Sequence, residues 1–339
     1  MSGSTLFPRE TGEYIAKNAI YLKVNSTGVK NLTNEIVEAI LSKRIILNQF
    51  AQHPLHPKAT DAHVIEWYFV ADTLNFCFWT PIEYNKYEVN GHTGYFALCA
   101  ALNRALKEGS DITNPKFYST LSFDALQHIF RSDDGSTQIP LLEQRLNCLQ
   151  EVGKILLDKW QGKFENVLKS AQGSALKLLQ LLVEQFPCFR DEAIYTGTRV
   201  GIYKRAQVLI GDLWSCFGGQ GLGYFKDLHH ITMFADYRVP QVLVHFGALE
   251  YSAQLMKILK SDQVLENGDP MEVEIRGASI YIVEQVKDAV LKLFQDKYPE
   301  IDISTINSIM IDHYLWSYRR QHAKDLDYIP FHKVLSIYY

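Results

Sequence analysis

The sequence predicts a mainly α-helical fold, one compact body with a small β hairpin or sheet. Three observations lead there. Apolar residues recur at helical spacing in segment after segment, a hairpin signal is clear in only one stretch, and no long linker, repeat or low-complexity tract breaks the chain. In chain order, Leu32, Ile36 and Ile40 mark an early helix. Residues 87–95 read as a hairpin because Asn90-Gly91 tolerates the positive φ of a type I′ turn. Leu142, Leu146, Leu149, Leu156 and Trp160 line a long helix starting near Pro140. Val283, Val286, Val290 and Leu293 form another stripe, and Ile306, Ile309, Met310 and His313 a last one. The loops at 52–60, 131–139, 218–223 and 266–270 are short, so a single continuous domain over 1–339 is expected.

Composition narrows the function. Hydrophobic residues make up 47% of the 339 and charged residues 21%, enough for a sizeable core. Aromatic content of 12% suits a pocket for a flat ring, and suits an ordinary core as well. Net charge is −4, with 34 Lys and Arg against 38 Asp and Glu. Proteins that track a polynucleotide backbone need a basic excess, so extended nucleic-acid binding is disfavoured, while a local basic pocket stays open. The five cysteines show no C-x-x-C spacing and read as reduced structural thiols. Met1-Ser2-Gly3-Ser4-Thr5 shows no basic stretch followed by an apolar one, so no secretory leader is expected, and no apolar run approaches the roughly 18 residues of a membrane span. The expectation is a soluble cytoplasmic protein, with the nucleus as a second compartment.

Several chemistries are set aside. There is no G-x-x-x-x-G-K-[ST] loop and no G-x-S-x-G elbow. Gly218-Gly219-Gln220-Gly221-Leu222-Gly223 follows no strand and reads as a helix–helix connection. His229-His230 lacks the H-x-x-x-H spacing that aims two imidazoles at one ion. Neither a metal nor a cofactor is expected.

Residues 203–243 stand apart. A helix is predicted from Tyr203 to Trp214, then the glycine loop, a short helix over 225–231, the tight stretch Thr232-Met233-Phe234-Ala235, and a further helix opened by Asp236 with Pro240 in its first turn. By position alone Asp236 reads first as a helix N-cap.

This order of elements resembles the helix-hairpin-helix DNA glycosylases, in which an Asp following the hairpin is the catalytic carboxylate. Their hairpin grips a DNA phosphate through glycine N–H groups, whereas Leu228-His229-His230-Ile231-Thr232-Met233-Phe234-Ala235 contains no glycine. A closer resemblance spans essentially the whole chain. It is carried by PRETG (8–12), DTLNFCFW (72–79), GYFALCAALNRA (94–105), FP (186–187), YKRAQ (203–207), ITMFADYRVPQ (231–241), EVEIRG (272–277) and DHYLW (312–316). On these strings the sequence is similar to the queuosine salvage protein family. The resemblance implies a compact helical glycosylase-like fold that hydrolyses the N-glycosidic bond of queuosine 5′-phosphate and releases queuine for salvage into tRNA modification. Two alternatives stay open: a base-excision glycosylase acting on nucleic acid, and a non-enzymatic queuine-binding protein.

Under that resemblance Asp236 is the catalytic carboxylate, as base, nucleophile or electrostatic stabiliser. Phe234 and Trp79 are candidates to stack on the base. Asp312 and His53 are candidates for polar contacts to the base or its cationic aminomethyl arm. Lys204, with Arg205, is a candidate for the 5′-phosphate. Each has a plainer reading: Trp79 as core, Asp312 as helix surface, His53 as a solvated loop residue, Lys204 and Arg205 as a solvated helix face, Asp72 and Asn75 as caps or support. The partners implied are a small nucleotide and its free base, with no duplex nucleic acid and no membrane, on a monomeric protein.

Overall fold

A computed structural model describes residues 5–46, 50–81 and 84–339. Residues 1–4, from which the absence of a leader was inferred, lie outside the described residues. Among those described, fifteen α-helices and four two-stranded sheets form a mainly α fold, as the apolar spacing predicts. No helix among them is long and apolar enough to cross a membrane. The chain divides into two units, each built from separate segments. One comprises Met1–Gln49, Asp191–Gln207 and His229–Leu335, the other Phe50–Arg190, Val208–Leu228 and Ser336–Tyr339.

The first unit is organised on the 28-residue helix Pro270–Lys297, which Asp269 caps by accepting from Met271 N at 2.8 Å. Its predicted stripe Val283, Val286 and Val290 is buried, with Leu293 at the edge of the same cluster. Helix Pro8–Asn18 lies against it, and two glycines permit the approach: a Cβ on Gly277 would meet Ile15 Cδ1 at 2.3 Å, and one on Gly12 would meet Gly277 O at 3.2 Å. Helix Ser26–Leu41, capped by Asn25, buries Leu32 and Ile36 in the same core. Helices Val239–His245 and Ser308–Gln321 complete it; Ile306 precedes the latter, which begins after the cap Asn307.

In the second unit, helix Leu142–Lys159 buries Leu142, Leu146, Leu149 and Leu156 and ends at its C-cap, Trp160. The predicted hairpin is present, Glu88–Val89 against His92–Thr93, with Asn90 and Gly91 at φ of 52° and 73°. Asp133 accepts both turn N–H groups, at 2.9 and 3.0 Å. Fully buried Arg145 donates to the carbonyls of Leu74, Phe76, Cys77 and Pro140. No disulfide joins the five cysteines, four of which are buried.

The structure departs from the sequence expectations in three places here. Hairpin Glu192–Tyr195/Thr198–Gly201 turns through Thr196-Gly197, with Thr196 at φ 45°, a conformation a β-branched residue rarely signals. The helix expected over 225–231 is only a 3-10 turn, Leu228–His230. Tyr203 is left-handed at φ 52°, so the helix expected from Tyr203 is Lys204–Cys216.

Candidate active site

Residues 231–236 form no helix or strand, yet they carry the predicted catalytic group. Buried side chains supply what a ladder would. Gln207 Oε1 accepts from Thr232 N at 2.8 Å and Oγ1 at 3.2 Å, while its Nε2 donates to Ile202 O at 3.0 Å. Asp312 Oδ1 accepts from Phe234 N at 2.9 Å, and Arg276 Nε donates to Ala235 O at 2.9 Å. An irregular segment is thereby held along its length, because buried amides left without partners would otherwise be costly.

Asp236 follows immediately. Its Oδ1 accepts from Arg238 N and Val239 N, both at 2.8 Å. That is the bonding pattern of an N-cap, but the helix itself is Val239–His245 with Arg238 at the cap position. The expected helix start is thus displaced by two residues: an Asp turn leads into the helix. Among the described residues no hydrogen bond reaches Asp236 Oδ2, and the side chain is half-buried. One oxygen is fixed by two main-chain N–H groups and the other is not.

Burial raises the Asp236 carboxyl above its ordinary value, opposed by the two N–H groups and the charges of Lys204 and Arg238. Asp312, only 3% exposed, is pushed much further up, by burial first and by the charge of Asp236 second. Lys204, also buried, lowers both. When two carboxyl groups share one cation, the more buried one takes the proton first. Both carboxyl groups are therefore harder to ionise than usual, and Asp312 the more so.

The structure brings Asp236, Asp312, Lys204 and Phe234 together in one unit. Phe234 is buried with its ring 5.9 Å from that of His313. Two plainer readings are corrected: Lys204 and Arg205 are both buried rather than a solvated face, and Asp312 is no surface residue. Tertiary packing overrides the solvent exposure that a charged pair suggests. His53 and Trp79 belong to the other unit. His53 is half-buried and stacked on Phe96 at 3.9 Å, and Trp79 is buried. Asn75 Nδ2 donates to Asp72 Oδ1 at 3.2 Å, a supporting contact. His229 and His230 sit on an exposed turn, and among the described residues no group of three or more His, Cys, Asp or Glu could hold a metal.

Sequence reasoning missed Gln207, Asp191 and Arg276 as residues with a role here. Arg276 Nη1 and Nη2 meet Asp191 Oδ1 and Oδ2 at 2.9 and 2.6 Å, and Nη1 meets Glu272 at 3.0 Å. The i,i+4 spacing of Glu272 and Arg276 is visible in the sequence, but such spacing ordinarily marks an exposed pair.

Residues 55–339 match the family described as queuosine salvage protein. Relatives named queuosine 5′-phosphate N-glycosylase/hydrolase occur across distant organisms. The one from Mus musculus is 44% identical, with 99% of this chain and all of the relative aligned. That from Schizosaccharomyces pombe is 36% identical over 97% of this chain and 99% of its own length. A bacterial one, from Sphaerobacter thermophilus, is 33% identical over 90% of each. Matched by the family model over residues 55–339 and by these relatives over nearly its whole length, the chain belongs to the queuosine salvage protein family.

Proposed function

We propose that this protein hydrolyses the N-glycosidic bond of queuosine 5′-phosphate, giving queuine for tRNA modification and ribose 5-phosphate, with Asp236 as the catalytic carboxylate. The observation that carries the assignment of Asp236 is its geometry: Oδ1 held by two N–H groups, Oδ2 without a hydrogen bond among the described residues, Lys204 near by. As the C1′–N bond lengthens, positive charge builds on the ribose. Asp236 Oδ2 stabilises that charge and orients a water, whose oxygen bonds to C1′ as its proton passes to the carboxylate. The electron pair of the broken bond stays on the base nitrogen, which is protonated to give queuine.

Phe234 is proposed to stack on the base and Asp312 to hydrogen-bond it or its cationic arm. Lys204 keeps Asp236 ionised beside a second carboxyl group and is the candidate for the 5′-phosphate. His53 and Trp79 enter the proposal as base contacts on the resemblance alone. The substrate is a free nucleotide rather than duplex nucleic acid, a reading supported by the net charge of −4 and the glycine-free 228–235 stretch. We propose a monomer that works in the cytoplasm.

The test is to incubate purified protein with queuosine and with its 5′-monophosphate and to detect queuine by mass spectrometry. Release from the monophosphate is expected; binding of queuine without release from either compound would make the protein a carrier instead.

A further inference from the structure

The Asp191–Arg276 pair is hydrogen-bonded to the main chain beside both charged groups that the mechanism uses, at Ala235 O before Asp236 and at Lys204 N. Arg276 is bound bidentately by Asp191 and also by Glu272, and its Nε holds Ala235 O at 2.9 Å. A peptide unit is planar, so gripping the carbonyl of residue 235 fixes the plane that ends at the Cα of Asp236. On the other side, Asp191 Oδ2 accepts from Lys204 N at 3.1 Å, and its main-chain carbonyl accepts from Ile202 N at 2.9 Å. That grip sets the first residue of helix Lys204–Cys216 just after the left-handed Tyr203. All of these groups are buried and lie in one unit.

We propose that Asp191 and Arg276 are positioning residues for the hydrolysis: one ion pair, joined to Ala235 O and Lys204 N, sets the separation of the Asp236 carboxylate from the Lys204 ammonium. This rests on the hydrolase reading above. A buried ion pair is a poor device for stability alone, since desolvation consumes much of its attraction. It does give direction, because a guanidinium offers a planar fork and a further donor at fixed angles. A lysine at position 276 would keep the charge and lose that fork. Misplacement by an ångström costs on the order of 10²-fold in rate when the displaced group acts on the reacting centre.

The variants are Arg276→Lys and Asp191→Asn, with Lys287→Met as control. Lys287 pairs with Glu284 at 2.7 Å on the same helix, Pro270–Lys297, so the control breaks a largely buried ion pair that does not touch residues 231–236. Queuine release is measured as kcat and KM, with kcat/KM followed against pH and melting temperature recorded for each protein. The charged groups that act on Asp236 are Lys204, Arg238, Asp312 and Arg319. A carboxylate displaced from Lys204 is harder to ionise. Both variants are expected to lose about 10- to 10²-fold in kcat, with KM within about threefold of wild type. Their acid limb is expected at higher pH. Lys287→Met is expected to melt earlier with kcat and acid limb unmoved. Folded Arg276→Lys with wild-type kcat and limb overturns the positioning role while leaving the hydrolase intact. The same limb shift in Lys287→Met overturns it too, as does failure of both site variants to fold, which would make the pair a determinant of folding only. A wild type that releases no queuine overturns the hydrolase reading and this role together.

Discussion

Replacing Asp236 by Asn separates a catalytic carboxylate from a structural one. In the folded protein Asp236 Oδ1 accepts two main-chain N–H groups at 2.8 Å, and an amide oxygen of the same size keeps both. Asn is as good a residue as Asp at such a turn, so the cost from the cap is below about 1 kcal/mol. Two further effects have opposite signs. The attraction of Lys204 and Arg238 for the carboxylate is lost, and the repulsion between Asp236 and Asp312 is relieved. The net change in stability should therefore stay within about 1 kcal/mol, a shift of a few degrees at most for a chain this long. Turnover should respond very differently. An amide offers the ribosyl cation no negative charge and cannot take a proton from water. Removing a preorganised electrostatic group of this kind costs about 10²–10³-fold, or roughly 3–4 kcal/mol of barrier. The assay pairs melting with and without substrate against queuine released per minute, on wild type and variant. Substrate should still raise the melting temperature of the variant, because the proposed base contacts are on other residues. Unchanged release by a folded Asp236→Asn protein would refute the mechanism.

Lys204→Met removes the cation that lowers both carboxyl groups, so the acid limb of kcat/KM should move to higher pH; a pH–rate profile with the wild-type limb would show that Lys204 does not tune Asp236. Asp312→Asn should stabilise the protein near neutrality. A carboxyl whose folded pKa is raised contributes stability below its unfolded pKa of about 3.9, and that contribution is lost as pH rises towards the folded value. The melting-temperature gap between Asp312→Asn and wild type should accordingly open from about pH 4 upward, and a gap independent of pH would contradict the assignment. Gly277→Ala sets a Cβ 2.3 Å from Ile15 Cδ1 and should destabilise by about 1–3 kcal/mol, read as a fall in denaturation midpoint at unchanged m-value.

Much of the fold is legible because it depends on local periodicity. The stripes at 32–40, 142–156 and 283–290 become buried helix faces since an apolar row every 3.6 residues has one way to leave water. Asn90-Gly91 fixes its hairpin by backbone sterics alone. Thr196-Gly197 turns as tightly, but a β-branched residue pays for its left-handed backbone with contacts formed only in the folded chain, and so gives no local signal. The same holds for Tyr203, whose ring lies so near Gly201 that a Cβ there would meet it at 2.4 Å.

The site divides along the same line. Sequence alone determined the family, because the strings around Asp236, Lys204 and Asp312 are long enough to identify it, and through that resemblance it singles out Asp236 as the residue proposed for the chemistry. Only tertiary structure decided what surrounds these groups. Asp312 is 76 positions from Asp236 in the chain, and Lys204 is 32 positions before it, yet the three interact electrostatically. Burial and proximity between remote segments set how far each carboxyl is pushed up, and neither can be read from local spacing. Asp191, Gln207 and Arg276 look like ordinary surface residues in the sequence for the same reason: the Asp191–Arg276 ion pair and the main-chain groups Thr232 N and Ala235 O that Gln207 and Arg276 hold join segments distant in the chain, which side-chain identity does not encode.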